Sequence, residues 1–338
     1  MRAQSPAIHH TIEPFDRTLE LLDLTEDQRR LGRGREVEVR NPPGRGICDR
    51  TARAHPRTIE QVIDPFVSAD WLSTHRNEAI VADVRWYLDG RSGQAAYEAG
   101  HIPGAVFVEL DTVLSEPHED DRGGRHPLAT PERFAGGLAR LGIGDGDTVI
   151  AYDDAGGVTA ARLVWMLRAI GHEAALLDGG LAVWPKEDLH KGAPAARLPV
   201  SFTPVAWPRE LLTSIDEVAS ATSVLIDARD ADRFAGGAPD PVDPRSGHIP
   251  GARSVPTREH LDAAGRIATP ERLRARFAQA GVTPGTPVVS YCGSGVTACH
   301  NLLAMERAGL GPGRLFPGSW SQWSRDPDRP VATGADHC

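Results

Sequence analysis

The stretch "YCGSGVTAC", residues 291–299, sets a cysteine at the end of an apolar run, "TPVVSYC", and follows it with Gly-Ser-Gly. Glycine tolerates positive φ, so Gly293 and Gly295 let the chain fold back tightly around Ser294. "VTACHNLLAMERAG" then reads as the start of a helix. In such a loop the successive N–H groups from Gly293 through Val296 and Thr297 can turn inward and form an anion-binding nest at the helix N-terminus. Cys292 sits where that nest favours the thiolate, the nucleophilic form of the side chain. The same nest could hold a transferred anion such as a persulfide.

Three other chemistries fail on the letters. A cysteine phosphatase needs Cys-x5-Arg to grip phosphate with a guanidinium, and Ala298 stands where the arginine would be. A zinc site wants paired cysteines at short spacing, which Cys292, Cys299 and His300 do not supply. A serine-hydrolase turn needs Gly-x-Ser-x-Gly, and Cys292 stands two residues before Ser294. Cys299, well inside the next helix, reads as core. Cys338 reads as a frayed terminus, and with Cys48 the four cysteines are too scattered for a disulfide framework.

The elements that must position this loop occur twice. "IVADVRW" (80–86) matches "LIDARDA" (225–231), "GHIPGAVFV" (100–108) matches "GHIPGARSV" (247–255), and "ATPERFAGGLARLGI" (129–143) matches "ATPERLRARFAQAGV" (268–282). "TVIAYDD" (148–154) matches "TPVVSYC", and "LLDGGLAVW" (176–184) matches "LFPGSWSQW" (315–323). Each copy spans about 120 residues, the size of a small domain rather than of a solenoid repeat. The first copy has Asp153 where the second has Cys292. Within each copy short apolar runs alternate with helix-period stretches, which predicts an α/β fold: a mainly parallel sheet flanked by helices, with its site at the carboxyl ends of the strands. His101 and His248, in the "GHIPGA" segments, occur in both copies and read as loop-structuring residues.

The expected organisation is an irregular extension over 1–63, with a short helix possible in "FDRTLELLDLTEDQRRLG". A first domain over 64–184, a proline-rich linker over 185–210, a second domain over 211–330 and a tail over 331–338 follow it. The formal net charge of -9 argues against nonspecific attraction to nucleic acid or to an anionic membrane. No run approaches the roughly 18 apolar residues of a membrane span, and the N-terminus has no apolar signal core. A reducing cytoplasm is the expected location. The only lysines are Lys186 and Lys191, so arginine is the default cation throughout, and an isolated arginine carries little functional weight.

Two tandem copies, "GHIPGA" in each, "CGSGVT" in the second and an aspartate at the cysteine position of the first resemble the two-domain rhodanese family. The loop is similar to that of its 3-mercaptopyruvate sulfurtransferases. The resemblance spans about residues 64–330 and implies two tandem rhodanese-like domains, the first inactive and the second catalytic. It implies a cycle in which Cys292 takes sulfur from 3-mercaptopyruvate or thiosulfate as a persulfide. Cys292 then passes it to a thiol, such as a small thiol or a thioredoxin-like protein, or to cyanide. Neither a cofactor nor a metal is implied. Gly293 and Ser294 carry no charge, which suits a less highly charged donor than thiosulfate. The family's Ser–His–Asp set maps onto Ser294, His126 and Asp111. The family's carboxylate-binding arginine falls on Ala182 here, which leaves Arg162 or Arg125 for that task. The same departure motivates an alternative function, a non-catalytic persulfide carrier or sensing protein.

Overall fold

The structure is a computed structural model and describes residues 63–117, 123–193, 197–220 and 222–335. The expected N-terminal helix, Cys48 and Cys338 lie outside the described residues. In the first copy the elements run β1 (Phe66–Val67), α1 (Ala69–Thr74), β2 (Ala79–Asp83), α2 (Gly93–Ala99), β3 (Val106–Phe107), α3 (Pro131–Arg140), β4 (Thr148–Tyr152), α4 (Ala161–Ala169) and β5 (Ala174–Leu177). The second copy repeats this plan: α5 (Ile215–Ala219), β6 (Val224–Asp227), α6 (Ala231–Ala235), β7 (Arg253–Ser254), α7 (Pro270–Gln279), β8 (Val288–Tyr291), α8 (Ala298–Arg307), β9 (Arg314–Leu315) and α9 (Ser319–Trp323).

The sheet orders are β1-β5-β4-β2-β3 and β7-β6-β8-β9, and every strand pair is parallel. A parallel bridge from Leu212 to Leu315 stands in the second sheet where β1 stands in the first. The central strands "TVIAY" and "VVSY" are apolar almost throughout and buried, because helices cover both faces of each sheet. The matched helices α3 and α7 start the same way. Thr130 and Thr269 cap them by accepting the N–H of Arg133 and of Arg272, with proline at the first helical position.

Helices α4 and α8, which follow the two matched loops, pack against each other across the boundary between the copies. One apolar cluster runs through both copies, from Val149 and Val164 to Leu302, and includes Cys292 and Cys299. The expected linker is strapped to the first domain. Phe202 is buried beside Phe134, Thr203 binds the Asp145 carboxylate through its N–H at 2.7 Å, and the Trp207 indole donates to the Ala129 carbonyl at 2.8 Å. The start of the expected tail is also held, since Ala332 forms an antiparallel bridge with His248. Among the described residues no helix is long and apolar enough to cross a membrane.

Candidate active site

Cys292 is the first residue after β8 and is 2% exposed. Its N–H donates to the Ser319 hydroxyl at 3.1 Å, and its carbonyl accepts the Trp320 N–H at 3.0 Å. The Gly293 carbonyl accepts the Ser321 N–H at 2.8 Å. Ser319 is the one non-glycine residue among those described with positive φ, at 51°. Its counterpart in the first copy is Gly180, at 56°. A side chain in this region is strained and persists only where its surroundings hold it. Here the Ser319 hydroxyl both receives Cys292 and donates to the Phe316 carbonyl at 2.8 Å. Gly295 turns at φ 75°, pressed against the Pro317 carbonyl.

The first copy shows what this loop geometry binds. The Asp153 carboxylate is fully buried and is surrounded by its own loop. The N–H groups of Ala155, Gly157, Thr159 and Ala160 donate to it at 2.8, 2.7, 2.7 and 3.0 Å, and the Thr159 hydroxyl does so at 2.7 Å. In the second copy the N–H groups from Gly293 to Thr297 donate to no acceptor among the described residues. The first copy's loop binds its own carboxylate, whereas the matched loop of the second copy carries a thiol in place of that carboxylate.

The structure brings together the three residues of the expected Ser–His–Asp set, from two domains. Asp111 lies on a single π-helical turn, Leu110–Leu114, and His126 on the loop before α3. The His126 ring stands with Nδ1 2.7 Å from the Ser294 hydroxyl and Nε2 3.2 Å from an Asp111 carboxylate oxygen. Asp111 can only accept, so Nε2 carries the hydrogen and Nδ1 is left to accept from Ser294. Burial pushes His126 below the ordinary histidine value, against the raising pull of Asp111, and the guanidinium charges of Arg162 and Arg125 lower it further. The ring is therefore neutral near pH 7 and able to take a proton.

Cys292, Gly293, Ser294, Val296 and Thr297 line a cavity of about 470 Å³. Gly295 and Arg162 do not line it. Gly295 turns away, and Arg162 is fully buried with its guanidinium on backbone carbonyls, so the expectation that Arg162 meets the substrate directly is corrected. Ala182 is exposed and does not line the cavity. Arg125 does line it: a Cβ on Gly293 would stand 3.0 Å from its guanidinium. Arg125 is paired with Asp243, which also pairs with Arg233 at 3.1 Å.

The uncharged loop thus faces a wall rich in arginine, of which sequence reasoning named only Arg125 because it discounted isolated arginines. Arg229, Arg233 and Arg258 share that wall with Arg125. Arg229 is tied to Asp227 at 2.6 Å, just as Arg85 is tied to Asp83 at 2.7 Å in the first copy. The Asp-x-Arg shared by "IVADVRW" and "LIDARDA" was the available signal. Arg258 is the loosest of the four, 60% exposed and 3.8 Å from Asp230. Its neighbour Thr257 touches the Thr297 carbonyl at 3.3 Å, so Arg258 stands next to the cysteine loop. His101 and His248 behave as loop-structuring residues. Each stacks on an aromatic ring, Tyr97 or Phe234, and hydrogen-bonds that residue's carbonyl at 2.9 Å.

Two parallel-sheet copies, one with an anion-filled loop and one with a cysteine loop, define the class. A model of the rhodanese-like domain matches residues 68–187 and 208–326, and the chain belongs to the rhodanese family. It is 37% identical over 277 residues to the 3-mercaptopyruvate sulfurtransferase of Escherichia coli, covering 79% of this chain and 97% of that one. It is 33% identical over 302 residues to thiosulfate/3-mercaptopyruvate sulfurtransferase 1, mitochondrial, of Arabidopsis thaliana, covering 79% of this chain and 78% of that one. The solved 3-mercaptopyruvate sulfurtransferase from Leishmania major superposes with a TM-score of 0.69 at 30% identity, covering 77% of this chain and 74% of that one.

Proposed function

We propose that this protein is a sulfurtransferase that carries sulfane sulfur on Cys292, with 3-mercaptopyruvate as its donor and a thiol as its acceptor. The observation that carries the reading is Cys292 at the end of β8, on the loop matched to the one whose N–H groups bind Asp153, with Ser294 of that loop in contact with His126. In the first half-reaction the Cys292 thiolate attacks the donor sulfur and forms an S–S bond. The carbon–sulfur bond breaks, and its electron pair leaves with carbon as the pyruvate enolate, which takes a proton to become pyruvate. In the second half-reaction an acceptor thiolate attacks the outer sulfur, and Cys292 leaves as thiolate. Sulfur moves without a net oxidant or reductant.

The Ser294–His126–Asp111 chain supports the keto-acid donor. The donor thiol gives up a proton as the S–S bond forms and the departing enolate gains one; Ser294 relays the thiol proton to Nδ1 of neutral His126 and then back to the enolate carbon. Sulfite, leaving from thiosulfate, needs no proton. Arg125 supplies positive charge beside Gly293, and Arg258 is the cation least committed elsewhere, so these two receive the donor carboxylate in place of the residue at position 182. A reducing cytoplasmic setting, rich in small thiols and thioredoxin-like proteins, suits the acceptor step. Neither a membrane nor a nucleic acid is needed as a partner.

The test is donor kinetics. Pyruvate release from 3-mercaptopyruvate should exceed sulfite release from thiosulfate by at least about a hundredfold in kcat/KM, about 2.7 kcal/mol of transition-state preference. Arg258→Ala should raise the keto-acid KM by about tenfold. A preference for thiosulfate would overturn the donor assignment.

A further inference from the structure

Arg162 is near the start of α4 in the first copy, and it is buried without a carboxylate. The ordinary arrangement for a buried guanidinium appears twice in this molecule, in Asp83–Arg85 and Asp227–Arg229. Arg162 departs from it. Its Nη1 donates to the Gly295 carbonyl at 2.7 Å and its Nη2 to the His126 carbonyl at 3.3 Å, while Nε has no hydrogen-bond partner among the described residues. Desolvating a charge so weakly met is costly unless something of opposite sign stands near it. The acidic groups in its field are two thiols, Cys299 and Cys292. Cys299 cannot supply the negative charge. Burial pushes its thiol up to about 12, and it donates its own hydrogen to the Gly295 carbonyl at 3.4 Å. Cys292 is the group left.

The internal repeat gives an independent comparison. The first loop has one extra residue, so His300 stands in α8 where Arg162 stands in α4. His300 is also fully buried, and it lies against the backbone of Gly156 in the inactive loop. Each copy therefore sends a polar side chain from the start of its helix into the other copy's loop. Only the one aimed at the cysteine loop is a permanent cation. The inactive loop needs none, because the charge of Asp153 is already met by its own N–H groups and by Thr159.

We propose that Arg162 is a positioning residue supplied by the inactive copy: its buried charge stabilises the negative charge that Cys292 carries as thiolate and as persulfide, and its two carbonyl contacts hold Gly295 and His126 in register for the Ser294–His126 contact. The first domain thus contributes a cation to the chemistry of the second, in addition to the proton relay. Other groups also face the Cys292 loop: Arg125 and Arg233 across Gly293, Arg229 and Arg258 on the cavity wall, Asp240 and Asp243 behind these arginines, and His126 through Ser294. The share of Arg162 is therefore read as a difference between variants.

The inference rests on Cys292 as the sulfur acceptor, and its test separates the two. Alkylation of the Cys292 peptide by iodoacetamide at neutral pH reports the reactivity of that sulfur whether or not sulfur is transferred. Arg162→Gln should slow this alkylation by about tenfold. Arg162→Lys keeps the charge and loses the fork, so it should hold the alkylation rate within about twofold of the parent while transfer slows several-fold. A folded Arg162→Gln protein alkylated at the parent rate would overturn the proposal. If that variant does not fold, Arg162→Lys decides the matter, and a loss of alkylation of about tenfold in it would overturn the proposal.

Discussion

Replacing Asp153 tests whether these loops bind anions as strongly as the geometry requires. Its carboxylate accepts the N–H groups of Ala155, Gly157, Thr159 and Ala160 and the Thr159 hydroxyl, all at 3.0 Å or less, in a site closed to solvent. Asp153→Ala leaves these donors without an acceptor, and each buried donor so stranded costs about 1–3 kcal/mol. The costs do not add fully, because the loop relaxes and water can enter the space. Breaking a buried charged set elsewhere costs about 3–5 kcal/mol, and the same range is expected here. Asp153→Asn keeps one acceptor oxygen and should cost about half as much. Urea unfolding with linear extrapolation, on parent and variants side by side, gives the difference. A loss below about 1 kcal/mol in Asp153→Ala would show that the first copy's loop holds its carboxylate weakly. The parallel drawn from Asp153 to Cys292 would then fail.

Gly295→Ala should cost more than about 3 kcal/mol and abolish sulfur transfer, since it adds left-handed strain to direct overlap of the new Cβ with the Pro317 carbonyl. Gly281 has nearly the same φ, 78°, but open space around it, so Gly281→Ala should cost only about 1–2 kcal/mol in the same unfolding assay. Equal losses at the two positions would contradict the packing argument. His260 and His300 predict acid lability: burial pushes the first down to about 3 and the second down to about 4. Asn301 raises the His260 value, while His300 and Arg276 lower it further, and the Gly156 backbone raises His300. Both folded values lie below the unfolded value, so the neutral rings contribute stability that is fully present above about pH 6.5 and is lost as pH falls toward 4 and 3. The slope should reach about 2.7 kcal/mol per pH unit for the pair, and His300→Leu should shed about half of it. An unchanged slope in that variant, read from urea midpoints at several pH values, would count against the burial argument.

The repeat made the fold legible. Matched segments fixed two similar domains, and the alternation of apolar runs with helix-period stretches pointed to parallel sheets. Cys292 stood out because a glycine loop after a buried strand has few other uses, and Asp153 at the matched place of the first copy singled out the second. The Ser294–His126–Asp111 contact was reached only through resemblance, since 168 residues separate His126 from Ser294 and no local period links them. Of the cavity-wall arginines only Arg125 was named from the sequence; Arg229, Arg233 and Arg258 were hidden by composition. With lysine almost absent, letter frequency could not separate Arg258 in the cleft from an arginine on an ordinary surface. Arg162 was singled out for the wrong contact. Burial decides its role, and burial at a helix packed between domains depends on how α4 and α8 cross, which neither helix encodes alone.

The central claim is that sulfur rests on Cys292 between donor and acceptor. Brief exposure to 3-mercaptopyruvate without acceptor, followed by intact-mass and peptide analysis, tests it directly. The account predicts a gain of about 32 Da, one sulfur atom held as a persulfide, on the peptide containing Cys292. One pyruvate should be released per chain, with no adduct and no turnover in Cys292→Ser. Sulfur found on Cys299 instead, or full turnover in Cys292→Ser, would contradict it.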